Sequence, residues 1–330
     1  MNIIFQGDKP KKRKREDRFG STDLPGLAGT SYFKGEYDVF MNRTSPDYRE
    51  HQESKPKDLL QLGLDMEPAL GPMVARKLRE KWNWSGILKP AKTKFYEVTE
   101  EGHEATLFRV TPDYIGLCGP RGRKPQFCVE LKLVVYKDMG DWGDEWSGEV
   151  PQGYKDQAVL ESFACDTIGT YVAAFFWFKQ ELKVYFVEAD TDRAHELILM
   201  GVKFDRNHVQ PNIPPSPDAS GACDFFMKKQ EQLRPEMLEA NQEQTNRMFA
   251  LKASMAEESK AAKNTARLKN EVKKDIGDAA GMIYENWGKI TYKTSAKGTR
   301  TFRATLKEPT DTASLKQHVK NTQKEVEVHA

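Results

Sequence analysis

Apolar residues along this chain follow two periods, and the switches between them mark its elements. In "LLQLGLDMEPALGPMVARKLREKW" (59–82), Leu64, Met66, Leu70, Met73, Val74 and Leu78 recur at near-helical spacing. That spacing predicts one helix carried through Pro68 and Pro72. The runs "KFYEVT" (94–99), "ATLFRVTPDYIGLC" (105–118) and "FCVELKLVVY" (127–136) read as strands. "GYKDQAVLESFACDTIG" (153–169) predicts a helix ending near Gly169, and "TDRAHELILMGVKF" (191–204) predicts another. Between them, "YVAAFFWF" (171–178) and "LKVYFVEAD" (182–190) form a predicted hairpin, with "AAFFWF" as core. Strands with interspersed helices imply an α/β protein with a sheet flanked by helices.

The Pro-rich stretch "VQPNIPPSPDASG" (209–221) reads as a domain edge. The chain beyond it is charged, glutamine-rich and helix-favouring, with a thin apolar stripe. It predicts one or two long helices starting or kinking near Pro235. "WGKITYKTSAKGTRTFRATL" (287–306) then alternates as a hairpin turning at "SAKG". At the other end, "KPKKRKR" (9–15) is a like-charge run, read as solvated. It fits a nuclear-import signal or an arm that holds phosphates. The expected division is a flexible basic arm (1–17), a catalytic α/β domain (18–224), a charged helical segment (225–285), a β-hairpin (286–307) and a polar tail (308–330).

Composition narrows the function. The 330 residues carry 51 Lys+Arg against 49 Asp+Glu, a formal charge of +2, so any nucleic-acid binding must come from a local patch. Cys118, Cys128, Cys165 and Cys223 are widely spaced and form no C-x-x-C, which argues against a zinc or iron–sulfur site and suits reduced thiols. No apolar run reaches membrane length and no signal peptide opens the chain. A cytoplasmic location follows as the expectation, with the nucleus as the alternative from the basic run. H-E-x-x-H, G-x-S-x-G and G-x-x-x-x-G-K-[ST] are all missing, against a zinc protease, a hydrolase elbow and an ATP motor. The acidic and aromatic "DMGDWGDEW" (138–146) reads as a lid or an ordinary loop, because its carboxylates would repel phosphates.

The chemistry centres on "CVELKL" (128–133). Glu130 and Lys132 are two apart in a strand and so share a face. A buried charge needs a partner, a metal or water. Asp113 lies 17 residues upstream, a distance that suits a hairpin turning at "GPRGRKP", and would then neighbour Glu130. Two adjacent carboxylates repel, and a hard divalent cation relieves the repulsion. With a lysine beside it to orient water or stabilise phosphoryl charge, the set makes a plausible phosphodiester-hydrolysing site. Tyr154 and Gln157, three apart on one helix face, can reach the same place.

Pro112-Asp113 followed by Glu130-Leu131-Lys132 resembles the PD-(D/E)XK nuclease signature. "FGSTDLPGLAGTSY" (19–32), "LGLDMEP" (62–68) and "VPQGYKDQAVLESF" (150–163) resemble further motifs of the YqaJ-like viral recombinases, the lambda-exonuclease-like nucleases, in that family's order. The hairpin "GKITYKTSAKGTRTFR" also resembles the ending of longer members. The resemblance implies a restriction-endonuclease-like core with a mixed central sheet. It implies a Mg²⁺-dependent exonuclease, with Mn²⁺ able to substitute, that digests one strand of linear double-stranded DNA from its 5′ end in phage recombination by single-strand annealing. Glu67, Asp113, Glu130 and the Leu131 carbonyl would hold the metal. Lys132 would position the attacking water, Gln157 would orient Lys132 or the water, and Tyr154 would reach the site from the same helix face. Thr22, standing where the family has serine, would hold the terminal 5′ phosphate together with Arg15 or Arg18. DNA ends, a trimeric ring of identical chains and a single-strand annealing protein are the partners implied; none is a membrane. The alternatives are a structure-specific or nicking endonuclease and a non-catalytic DNA-binding scaffold on a nuclease-like core.

Overall fold

The computed structural model describes residues 2–7, 17–118, 124–135, 142–230, 236–284, 288–295 and 298–306. "KPKKRKR" with Arg15, most of the "GPRGRKP" turn, residues 138–141, Pro235 and the tail lie outside them. Two units divide the chain, Met1–Leu233 and Arg234–Ala330.

In the first unit the order is β1 (Asn2–Gly7), β2 (Phe19–Gly20), α1 (Leu24–Leu27), α2 (Glu36–Thr44), α3 (Pro46–Glu53), α4 (Asp58–Trp82), β3 (Ile87–Pro90), β4 (Lys94–Thr99), β5 (Thr106–Val110), β6 (Tyr114–Cys118), β7 (Lys124–Val134), α5 (Gln152–Cys165), β8 (Gly169–Phe176), β9 (Glu181–Glu188), α6 (Thr191–Phe204) and α7 (Gly221–Lys228). The second unit holds α8 (Gln242–Ile276), β10 (Gly281–Tyr284), β11 (Gly288–Thr294) and β12 (Arg300–Leu306). The whole is mixed α/β.

Two sheets build the first unit, with strand orders β1-β4-β5-β2 and β3-β6-β7-β8-β9. In the five-stranded sheet only β7 and β8 run parallel. The apolar run 105–118, read as one strand, splits between the sheets at Pro112. Proline offers no N–H to a ladder and restricts the residue before it, so β5 ends in one sheet and β6 begins in the other. Side-chain alternation then separates two packing faces of the five-stranded sheet. Phe127, Val129, Leu131, Ala173 and Val184 pack against Leu70, Val74 and Leu78 of α4. Val134, Val172 and Ala174 pack against Ala158 and Val159 of α5.

Helix α4 keeps both prolines inside it. Their missing N–H groups orphan the carbonyls of Leu64 and Pro68. Leu64, Pro68 and Pro72 form one exposed stripe, so water can satisfy those groups. Helix α5 ends earlier than expected, at Asp166 in the left-handed region (φ 50°), and Gly169 opens β8 instead. Of "AAFFWF", Ala173 and Ala174 are buried, but Trp177 and Phe178 project from the hairpin tip. The expectation of a flexible arm fails for Asn2–Gly7, which pair antiparallel with β4. The domain edge also moves. Phe225 and Phe226 of α7 pack on the first unit's core, so that unit extends beyond 224. The expected hairpin at 286–307 gains β10 and becomes a three-stranded antiparallel sheet.

Residues 156–162 of α5 are all buried, because the helix is wrapped by the sheet on one side and α1 and α6 on the other. Asp156, fully buried, faces α6. It accepts from Arg193 Nε and Nη2 at 2.9 Å each, from Thr30 Oγ1 at 2.7 Å and from Gln152 Nε2 at 2.9 Å. Every lone pair is used, so the charge is tolerated where a lone carboxylate would not be. Asp156→Ala leaves Arg193 only Glu196 and solvent, removes the acceptor of Gln152 and Thr30, and should cost about 2–3 kcal/mol of stability in urea unfolding. A loss below about 1 kcal/mol would show that the helix is held by packing alone.

Candidate active site

The β6–β7 register pairs Tyr114 with Val129. Continued by one residue, it sets Asp113 opposite Glu130, as the sequence spacing predicts. Asp113 Oδ2 accepts from the Leu131 backbone N–H at 2.6 Å, which fastens the carboxylate to the end of the ladder. Glu130 Oε1 accepts from Lys132 Nζ at 2.7 Å and from Gln157 Nε2 at 2.7 Å. The two side chains are 10% and 16% exposed, so this is a mostly buried ion pair. Glu130 Oε2 is buried and has no hydrogen-bond partner.

Gln157 joins the set. Its Oε1 accepts from Lys132 Nζ at 2.9 Å, while Nε2 donates to Glu130 and also to Glu161 Oε1 at 2.8 Å. Flipping the amide would turn an N–H donor toward an ammonium group, so its orientation is fixed electrostatically. Tyr154 offers Lys132 its ring face, 5.1 Å from Nζ to the centroid. Glu161 was not singled out in the sequence, yet it is fully buried one helical turn beyond Gln157. The i, i+4 spacing from Gln157 is the signal that could have found it.

Electrostatics ties Glu67 to this group. Glu67 is half-buried on α4, and burial together with the neighbouring Glu130 raises its carboxyl above the usual range. Two features hold that part of α4 close. Tyr114 Oη donates to the Glu67 carbonyl at 3.0 Å, and Gly71 leaves room that a Cβ would fill at 2.6 Å from the Tyr114 ring. Burial, then Glu130, pushes Asp113 up to about 8. Burial and the same neighbour raise Glu161 well above the carboxylate range. For Lys132, burial alone would depress the ammonium, but Glu130 outweighs it and the pKa rises. At neutral pH the lysine is therefore charged, while Asp113, at about 8, holds its proton.

Among the described residues, no three His, Cys, Asp or Glu side chains stand ready as a group to hold a metal ion. The donor chemistry nevertheless suits a hard divalent cation. Glu130 has an unpartnered buried oxygen, and Glu67, Asp113 and Glu130 itself repel one another.

Thr22 stands apart from these carboxylates but on the same cleft as Lys132, Tyr154 and Gln157, a space of about 500 Å³. Lys34, missed in the sequence, also lines it, and its Nζ donates to Thr22 Oγ1 at 3.2 Å and Asp23 Oδ1 at 2.6 Å. Arg18 lies instead in an adjoining cleft that shares Phe33, Lys34, Leu59 and Leu60 with the first. It is 4% exposed, and its guanidinium carbon is 5.2 Å from the Phe95 ring centroid. The described part of "DMGDWGDEW" packs down rather than forming a lid. Trp142 rests on Tyr154, Phe176 and Tyr185, and Glu145 pairs with Lys77 at 2.6 Å.

No family model and no curated protein matches the chain. Solved structures similar to it include SSO0001 (14% identity, 69% of this chain and 90% of that one, TM-score 0.38). The alkaline exonuclease LHK-Exo from Laribacter hongkongensis is similar at 12% identity over 65% of this chain and 94% of that one, with TM-score 0.37, or 0.38 for its complex with dAMP. Likeness at this level carries no functional argument, which must come from the residues themselves.

A carboxyl with a raised folded pKa binds its proton more tightly when folded. It stabilises the fold below its unfolded value and loses that contribution as pH rises through the folded one. In chelator, thermal stability should therefore fall as pH rises from the ordinary aspartate value of 3.8 through about 8. Asp113→Asn should flatten that decline. A slope identical in the variant would remove Asp113 as its source.

Proposed function

We propose that the chain is a metal-dependent deoxyribonuclease with a PD-(D/E)XK core. In this reading it acts as an exonuclease that digests one strand of linear duplex DNA from the 5′ end. The observation that carries the reading is the buried Glu130–Lys132–Gln157 hydrogen-bonded set beside Asp113. A structural ion pair needs no second acid pushed toward neutrality beside it, whereas phosphodiester hydrolysis uses both carboxylates and a cationic donor.

Glu67, Asp113 and Glu130, with the Leu131 carbonyl, would hold Mg²⁺ or Mn²⁺. The ion would polarise the scissile phosphate and acidify a bound water. The chain's own residues do the rest. Lys132 places an ammonium donor where negative charge develops on the phosphoryl oxygens. Gln157 holds that ammonium and Glu130 in one arrangement, so neither side chain reorganises during reaction. Glu161, buried, fixes the other edge of the Gln157 amide. Tyr154 supplies a ring wall that shields Lys132 from water. Thr22 and Lys34 sit further along the same cleft, where a hydroxyl and an ammonium suit a terminal 5′ phosphate. Arg18, in the adjoining cleft, would reach that phosphate by rearranging, and Arg15 stays a candidate from sequence alone. A ring of identical chains around the duplex and a single-strand annealing partner for phage recombination complete the proposal.

Lys132→Ala should reduce cleavage of linear duplex by at least about 10³-fold while leaving affinity for DNA ends within a few-fold. Retained activity would refute its role. Closed-circular duplex should survive intact, and its degradation would make the enzyme an endonuclease. Since Asp113 must shed a proton to bind a cation, Mg²⁺ affinity measured by calorimetry should rise with pH up to about 8. Asp113→Asn should lose that rise, and a pH-independent affinity in the parent chain would contradict the ligand assignment.

A further inference from the structure

The second unit has a two-faced sheet. Its inner face is closed by the end of α8. Ile276 and Ile290 are buried, and Lys273 Nζ lies 5.9 Å from the Tyr292 ring centroid and 5.8 Å from that of Phe302. Arg300 pins this arrangement. Its guanidinium carbon sits 4.0 Å over the Tyr292 ring, and it donates to the carbonyls of Tyr292, Gly277 and Ala279.

The outer face is different. The register pairs Lys289 with Thr305, Thr291 with Arg303, and Lys293 with Thr301. By alternation these six side chains share the face opposite Ile290 and Tyr292. Lys289, Lys293, Thr301, Arg303 and Thr305 are exposed. Ile283, 84% exposed, adjoins them as the partner of Lys289. Among the described residues, no acidic side chain shares this face with them. Three cations interspersed with hydroxyls, on a stiff sheet braced from behind, form a surface with one sign of charge and many donors. The chain as a whole is nearly neutral at +2, so this concentration is local rather than a reflection of overall basicity.

We propose that this face is a second duplex-DNA contact, separate from the cleft of the first unit. Lys289 and Lys293 are four residues apart on an extended strand, a span of about 14 Å. That is comparable to the ~12 Å width of the B-DNA major groove, which admits a two-stranded ribbon. The β11–β12 ribbon enters the groove with the two lysines reaching phosphates on opposite walls. The threonines donate to backbone oxygens, and Arg303 faces the base edges between. Because the contacts are mainly to phosphates, the face holds DNA without strong sequence preference. Its contribution is to keep a long substrate attached while its end is processed, and in this last respect the inference rests on the nuclease reading.

The test uses the full chain in chelator, where binding is read whether or not the protein cleaves. The affinity for a labelled duplex of about 30 base pairs is followed by anisotropy across a salt series. The combined variant Lys289→Gln, Lys293→Gln, Arg303→Gln should raise Kd by about tenfold or more and reduce the slope of log Kd against log salt by about 2–3. Lys289→Arg with Lys293→Arg should restore parental binding, which separates lost charge from a damaged fold. An unchanged Kd and slope in the Gln variant overturns the proposal, as does tighter binding of the parent to a single strand of equal length. In magnesium at saturating duplex, the Gln variant's single-turnover rate should match the parent's. A slowed rate there would make the face part of the cleavage site and overturn its separate role. Failure of Lys132→Ala to abolish cleavage would leave this binding result untouched.

Discussion

The amide of Gln157 is held by a cation on its oxygen and by two acids on its nitrogen, and the geometry of the candidate site follows from that clamp. Remove the amide and Lys132 and Glu130 keep only each other, a pair whose burial is costly without further hydrogen bonds. Glu161 matters because it holds the remaining N–H. The clamp in turn depends on α5 staying seated. Asp156, the residue before Gln157 and about 100° round the helix, fastens α5 to α6 and to the loop after α1. One helix thus carries two polar locks.

Much of this was legible in the chain. The two-residue spacing of Glu130 and Lys132 fixed their common face, and the separation of Asp113 placed it across the neighbouring strand. Lys34 escaped because a single charged residue near a turn carries no spacing signal, whereas Glu161 had one, four residues beyond Gln157, that went unread. The short helices at 36–53 and the strands β1 and β3 escaped for another reason. β3 lies at a sheet edge and is largely exposed, so it shows no alternation to read, and β1 sits beside a dense run of lysine and arginine.

Where the apolar pattern was strong but the fold differed, one residue type accounts for the difference. Proline at 112 broke a run that looked continuous. Prolines at 68 and 72 did not break theirs, since they fall on the stripe of α4 that faces water. The same residue ends an element when its neighbours are in a ladder and is tolerated when the group it orphans can be hydrated. Resemblance supplied the roles of Thr22 and Arg18. The fold separates the two into adjoining clefts and sets Lys34 beside Thr22 instead.

The passage through Pro112 has a mechanical side. Arg109, four residues before Asp113, belongs to β5 in the sheet that also contains Gly20; against the effect of burial, Lys34 foremost, then the Gly20 N–H and lastly Arg109 hold Asp23 below the ordinary carboxylate range. Asp113 immediately precedes β6 of the other sheet and is fixed to Leu131. Only three residues, one with a locked φ, bridge the two, so there is almost no slack to absorb a tilt between the sheets. A tilt of β5 is therefore carried through Thr111 and Pro112 directly to the Asp113 carboxylate.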